Sequence, residues 1–267
     1  MPLRIALFVE GSGSSVPSKQ EHGALARIWS EILPTALGCV SRPRIVPMSK
    51  RSLVALDRSN PPLTGTLPLD LLFMQELAKQ PFDAAIVAWD LQPPWDPQAA
   101  RCRWRETLDL YRLLGHSPTL ADPWRARSQA RYEALTARTT PATRTRPHQL
   151  KRGEIGVLCM EPMFEALLVD EPGIRAALGL KRSPADWPTA WKRTNVRDPD
   201  HSLLGPAIGA AKRSQTSGPI LKRISGDMFT RKNEWDAYFL ESLLANEATR
   251  ARLLRRPLVR RLQEILP

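Results

Sequence analysis

Carboxylates recur at one kind of position in this chain. Glu10 closes the apolar run Ile5-Ala6-Leu7-Phe8-Val9, Asp90 closes Ala84-Ala85-Ile86-Val87-Ala88-Trp89, and Glu161 closes Ile155-Gly156-Val157-Leu158-Cys159-Met160. Apolar runs of this length read as strands of a parallel sheet buried on both faces. Open α/β sheets hold their ligands at the carboxyl ends of such strands. One polar residue at a strand end is commonplace; three acids at three strand ends repel one another unless a cation neutralises them. Hard carboxylate oxygens suit Mg²⁺ or Mn²⁺, ions that activate water and stabilise a leaving oxygen in phosphodiester cleavage. Glu161 and Glu165 stand four residues apart and share a helix face if the turn opened by Pro162 includes both.

Those acids need elements to hold them. Glu21 to Leu37 has helical spacing, with Leu25, Ile28, Trp29, Ile32 and Leu33 on one face. Arg44 to Met48 is a further short strand, and Leu69 to Gln80 returns to the helical period. Helices are also expected over Trp104 to Leu114, past Pro172 to Leu180, and from Trp235 to Pro267, where Pro257 divides the helix in two. Leu258, Leu262, Ile265 and Leu266 form the apolar stripe of that last segment. Alternating strands and helices predict an α/β fold of three layers around a mostly parallel sheet over residues 1–180. Residues 181–267 then form a basic, mostly helical C-terminal region.

The net charge of +12 over 267 residues points to a polyanionic partner, nucleic acid or nucleotide. Asp122 to Arg152 carries eight Lys or Arg against two acids. Its second half, Thr139 to Pro147, reads as a flexible basic loop, either a solvated insertion or a segment that grips substrate. Lys222, Arg223, Arg231 and Lys232 are the basic pairs expected at nucleic-acid phosphates. Trp124, Trp187 and Trp191, flanked by Arg and Lys, are core anchors or base-stacking platforms. Cys39, Cys102 and Cys159 are widely spaced, which argues against a zinc site or a disulfide framework and for a reducing, cytoplasmic setting. No apolar run approaches the ~20 residues of a membrane helix, and no signal-peptide layout opens the chain. Neither a P-loop nor a Gly-x-Gly-x-x-Gly fingerprint is present. His22, His116, His148 and His201 have no compelling nucleophile partner and read as loop histidines.

Val9-Glu10-Gly11 after an N-terminal strand, followed by Trp89-Asp90-Leu91-Gln92 after a later one, resembles the TOPRIM domain of topoisomerases, primases and OLD-type nucleases. Phe164-Glu165-Ala166-Leu167-Leu168-Val169-Asp170 is similar to a string found in bacterial TOPRIM-like proteins to which roles in phage defence are ascribed. The resemblance spans roughly residues 1–180. It implies a Mg²⁺ (or Mn²⁺)-dependent nuclease acting on DNA or RNA, with Glu10 as acid or base and metal-linked glutamate. Asp90 corresponds to the first acid of the family's Asp-x-Asp pair, and Glu165 and Asp170 are further metal-site acids. The resemblance also implies an ATPase partner, because this chain has no nucleotide motif of its own. One departure stands out: Gln92 occupies the place of the second acid, and its amide oxygen brings no charge to a metal. Asp96 would take over if the Gln92-Pro93-Pro94-Trp95 turn folds back. The alternative is a non-catalytic nucleic-acid-binding or assembly subunit with a degenerate metal site. Glu10-Gly11-Ser12-Gly13-Ser14 also resembles the Asp-x-Ser-x-Ser motif of von Willebrand A domains, without that motif's later Thr and Asp.

Overall fold

In a computed structural model of the protein, the described residues are 3–10, 29, 43–59, 65–90, 104–144, 146–160, 170–182, 204–215, 218, 239 and 242–266. Four parallel strands make the sheet: β1 (Ile5–Glu10), β2 (Arg44–Met48), β3 (Ala84–Asp90) and β4 (Ile155–Met160). Their spatial order is β2-β1-β3-β4. Leu7 of β1 lies between Ile45 and Ile86, and Phe8 lies between Val46 and Val87. Ile86 in turn pairs with Gly156 of β4. Pro47 donates no amide hydrogen, and it is accommodated because β2 is an edge strand.

Period-two alternation sends the side chains to two separate cores. Ile5, Leu7, Val9, Ala84, Ile86, Ala88 and Leu158 enter one, while Ala6, Phe8, Ala85, Val87 and Trp89 enter the other. The second core is closed by α1 (Lys50–Val54) and the turn after it, α2 (Leu69–Lys79), α3 (Trp104–Gly115) and α4 (Trp124–Thr136). Its centre is an aromatic knot. Phe73 stacks on Phe8 at 5.5 Å between ring centroids and meets Phe82 and Trp124 edge-on at 5.1 and 4.9 Å. Trp124 is thus a core residue, not a platform for bases.

After the short α5 (Pro141–Arg144), the first core is closed from the far end of the chain, by α6 (Glu171–Leu178), α7 (Gly205–Arg213), α8 (Glu247–Leu253) and α9 (Pro257–Ile265). Ala207, Ile208, Leu253, Val259 and Leu262 share a core with Leu7 and Ile86. The described C-terminal helices therefore form the layer on this face of the sheet. Pro257 sits in the first turn of α9, where its missing N–H costs nothing. The α9 stripe of Leu258, Leu262, Ile265 and Leu266 is buried as its spacing predicts. The N–H of Leu150 donates to the carbonyl of Ile265 at 2.8 Å, fastening this layer to the segment that leads into β4. Among the described residues no helix is long and apolar enough to cross a membrane.

The first half of the basic stretch from Asp122 to Arg152 is helix. α4 buries Trp124, Ser128 and Leu135 and presents Arg125 and Arg127 to solvent. Its Arg- and Ala-rich sequence favours helix without showing a clear apolar stripe. Gly153, at φ +74°, turns the chain into β4 and donates its N–H to the carbonyl of Asp83 at 2.6 Å. A Cβ there would lie 2.7 Å from Pro123 Cγ, so both conformation and space call for glycine.

Asp70, in the first turn of α2, is fully buried yet ionisable. Ser117 Oγ and Thr119 Oγ1 donate to its Oδ2 at 2.5 and 2.6 Å, and Arg58 Nη2 donates to the same oxygen at 2.8 Å. Burial opposes the charge, but these donors together outweigh it and hold the carboxyl below the usual aspartate range. A depressed folded-state pKa stabilises the fold fully above the unfolded value of about 3.9 and loses that contribution as pH falls through the folded value. The stability gap between wild type and Asp70→Asn should therefore be full near neutrality and shrink on acidification below about pH 4. Urea denaturation across a pH series checks this, and a pH-independent gap would contradict it.

Candidate functional site

The sheet order decides which strand ends meet. From β1 the chain moves outward to β2 on one side, then returns to place β3 on the other. The strand order therefore reverses between β1 and β3, and the carboxyl ends at such a switch point are the usual ligand position of doubly wound sheets. Glu10 is the last residue of β1 and Asp90 the last of β3. Their strands run side by side, with Val9 paired to Ala88, at the ~4.8 Å spacing of neighbouring strands. Glu10 also pairs with Met48, and Asp90 with Met160, so four strand ends finish almost level.

The local cause is burial. Residues 5–9 of β1 are at most 9% exposed, and Ala84 to Trp89 of β3 at most 2%. A carboxylate inside either run would be stranded without water or a partner, so the first place for one is the strand terminus. The structure thus brings the backbones of Glu10 and Asp90 together at the switch point, with β4 ending at Met160 one residue before Glu161. The side chains of Glu10 and Asp90 lie outside the described residues. So do Glu161, Glu165, Gln92 and Asp96, and so do the expected phosphate contacts Lys222, Arg223, Arg231 and Lys232. Trp187, Trp191, His22 and His201 also fall there.

Asp170, expected among the metal-site acids, is a helix cap and the buried half of an ion pair. Its Oδ1 accepts from Arg252 Nε at 2.7 Å, and its Oδ2 accepts from Arg252 Nη2 at 2.8 Å and from the Gly173 N–H at 2.9 Å. Arg256 Nη2 stands 3.9 Å from Oδ1. The carboxylate is 5% exposed, and this set of donors occupies both oxygens. Hydrogen bonding to Asp170 strengthens the Arg252 guanidinium's hold on its proton, whereas burial weakens that of Arg256. Gly173 permits the close packing: a Cβ there would come within 2.4 Å of Leu243 and 2.7 Å of Asp170 Oδ2. The sequence does hold a signal for this role, because Asp170 followed by Pro172 matches an N-cap with proline in the first turn.

Among the described residues no group of three or more His, Cys, Asp or Glu converges in a way that would hold a metal ion. His116 Nδ1 is bonded to the carbonyl of Arg112 at 2.8 Å, and His148 Nε2 lies 3.0 Å from Glu154. Both occupy local structural positions, as loop histidines should. Comparison with protein-family models, with curated proteins and with solved structures returns no match.

Asp170→Asn keeps a capping side chain but loses the charge-assisted pair, and should cost about 2 kcal/mol. Asp170→Ala also loses the cap, and should cost about 1 kcal/mol more. Denaturant titration measures both. Mn²⁺ binding by the folded variants should equal wild type, and loss of metal at unchanged stability would return Asp170 to the metal site.

Proposed function

We propose that this protein is a TOPRIM-like, divalent-metal-dependent nuclease that hydrolyses nucleic-acid phosphodiesters at the carboxyl edge of β1 and β3. One observation carries the reading: two adjacent parallel strands, flanking the switch point of the sheet, each end in a carboxylate. That donor set is all oxygen and anionic, which fits Mg²⁺ or Mn²⁺ and disfavours softer metals. Glu10 and Asp90 would hold the ion, with Glu165 joining them by the TOPRIM resemblance. A bound Mg²⁺ would lower the pKa of a coordinated water and neutralise charge on the scissile phosphate. Glu10 would exchange the proton with the attacking water or the leaving oxygen, and Asp90 would remain ionised. The dry strands beneath leave the strand termini as the place for both residues.

A second reading rests on Gln92. A neutral amide in place of the second acid suits a subunit that binds or organises nucleic acid without cutting it. The two are separated by incubating the protein with single- and double-stranded DNA and RNA in Mg²⁺ or Mn²⁺. Nuclease function requires cleavage that falls about 100-fold or more in Glu10→Gln and in Asp90→Asn. Absence of cleavage, or cleavage indifferent to both substitutions, overturns it. Gln92→Asp should lower the Mn²⁺ concentration needed for half-maximal cleavage, because it restores a charge to the ligand set. An unchanged metal requirement would place Gln92 away from the ion.

A further inference from the structure

Eight Lys or Arg and two acids between Asp122 and Arg152 now have positions. Arg131 and Arg138 lie seven residues apart, Arg131 on α4 and Arg138 just beyond its end, and the chain then folds back through α5 to Arg146 and His148. Arg138 is the hub. Its Nη1 donates to the backbone carbonyls of Thr143 at 3.0 Å and Arg146 at 2.9 Å, and Arg144 Nε reaches the carbonyl of Arg138 at 3.3 Å. Thr140 and Thr143 lock the turn through paired hydroxyls at 2.9 Å, and the Arg144 guanidinium lies over the Trp104 ring, 5.4 Å from its centroid. Arg127 is fixed in the same way, by donating to the carbonyl of Arg152.

These cations are held by neutral carbonyls and an aromatic face, not by acids. Among the described residues Arg131, Arg138 and Arg146 make no ion pair, and the buried Nε of Arg131 has no hydrogen-bond partner. The nearby acids are engaged elsewhere: Glu133 accepts from Gln129 at 2.9 Å, and Glu154 accepts from the Lys151 N–H at 2.8 Å and sits against His148. Burial, joined by the charges of Arg131 and Arg146, weakens the proton affinity of Arg138. Burial and Arg131 likewise outweigh Glu154 and hold His148 below its ordinary value.

We infer that Arg131, Arg138 and Arg146, on the surface formed by α4, α5 and the segment after them, form a phosphate-binding site for the nucleic-acid backbone. Clustered like charges cost free energy in the free protein, and an anion that bridges them removes the cost. The Arg138 guanidinium, already fixed by the carbonyls of Thr143 and Arg146, loses little freedom on binding, and the guanidiniums of Arg131 and Arg146 can meet phosphate oxygens with paired N–H donors. The contacts would be to phosphates, so this surface would position the strand without reading its sequence. The proposal rests on the nuclease reading for its biological meaning, but as a binding site it stands apart from Glu10 and Asp90.

The test is fluorescence-anisotropy binding of labelled DNA and RNA, single- and double-stranded, in EDTA at several salt concentrations. Vesicles containing phosphatidylserine form the competing arm. Wild type should bind nucleic acid, and Arg131→Gln/Arg138→Gln/Arg146→Gln should reduce the salt slope on duplex DNA by about 2–3, in line with the phosphates lost. Arg138 also braces the turn, so Arg131→Gln/Arg146→Gln serves as a milder variant, expected to reduce the slope by about 2. Arg131→Lys/Arg146→Lys should restore most of it. Binding in EDTA is read without cleavage, so a failed nuclease assay leaves this result standing. An unchanged slope in the double glutamine variant would overturn the proposal. So would absence of nucleic-acid binding by wild type, or tighter binding to the vesicles than to nucleic acid.

Discussion

β1 is dry on both faces, and that constraint governs the molecule. A central parallel strand satisfies its backbone through the neighbours on either side, and its side chains must then find apolar cover above and below. Ile5 to Val9 meets the requirement with apolar residues alone, and β3 does the same from Ala84 to Trp89. Polarity is displaced to the strand ends. The positions of Glu10 and Asp90 follow from the dryness of the strands beneath them as much as from any chemistry they perform.

Asp70 and Asp170 are sealed in, each with both oxygens answered by donors, and each ties the start of a helix to a distant segment. Asp70 joins α2 to Ser117 and Thr119 after α3, and Asp170 joins α6 to Arg252 in α8. A buried charge of this kind is expensive to strand and cheap to keep once surrounded. The two helical layers are thus each pinned by one saturated carboxylate, whereas the sheet edge keeps its carboxyl positions at strand termini.

Much of this could be read in the residues. The strands announce themselves because short apolar runs bounded by turns have few other uses, and β2 was recognisable despite Pro47. The break at Pro257 and the α9 stripe followed directly from proline chemistry and helical spacing. What escaped has physical causes too. The helix of α4 was hidden because Trp124, Ser128 and Leu135 alone bury against the core, too few to print an apolar period. The pairing of Asp170 with Arg252 escaped because the two lie 82 residues apart and no local pattern connects them. Strand order was likewise unreadable, since the side of β1 on which each crossover lands is a tertiary outcome. Yet that order is what places Glu10 beside Asp90, and it turns two separate motifs into one edge.

The division of labour between the two helical layers has a consequence for how the chain is made. Most of the cover for Phe8, Val87 and Trp89 has been synthesised once α4 is complete, and Ile155 of β4 finishes it. The opposite side, Leu7, Val9, Ile86 and Leu158, takes early cover from Trp29, Leu150 and α6 and waits for Leu204 to Leu266 for the rest. At a translation rate of about 5–20 residues per second, those last ~60 residues take about 3–12 seconds to emerge. For that interval the nascent sheet is covered on one side and only in part on the other.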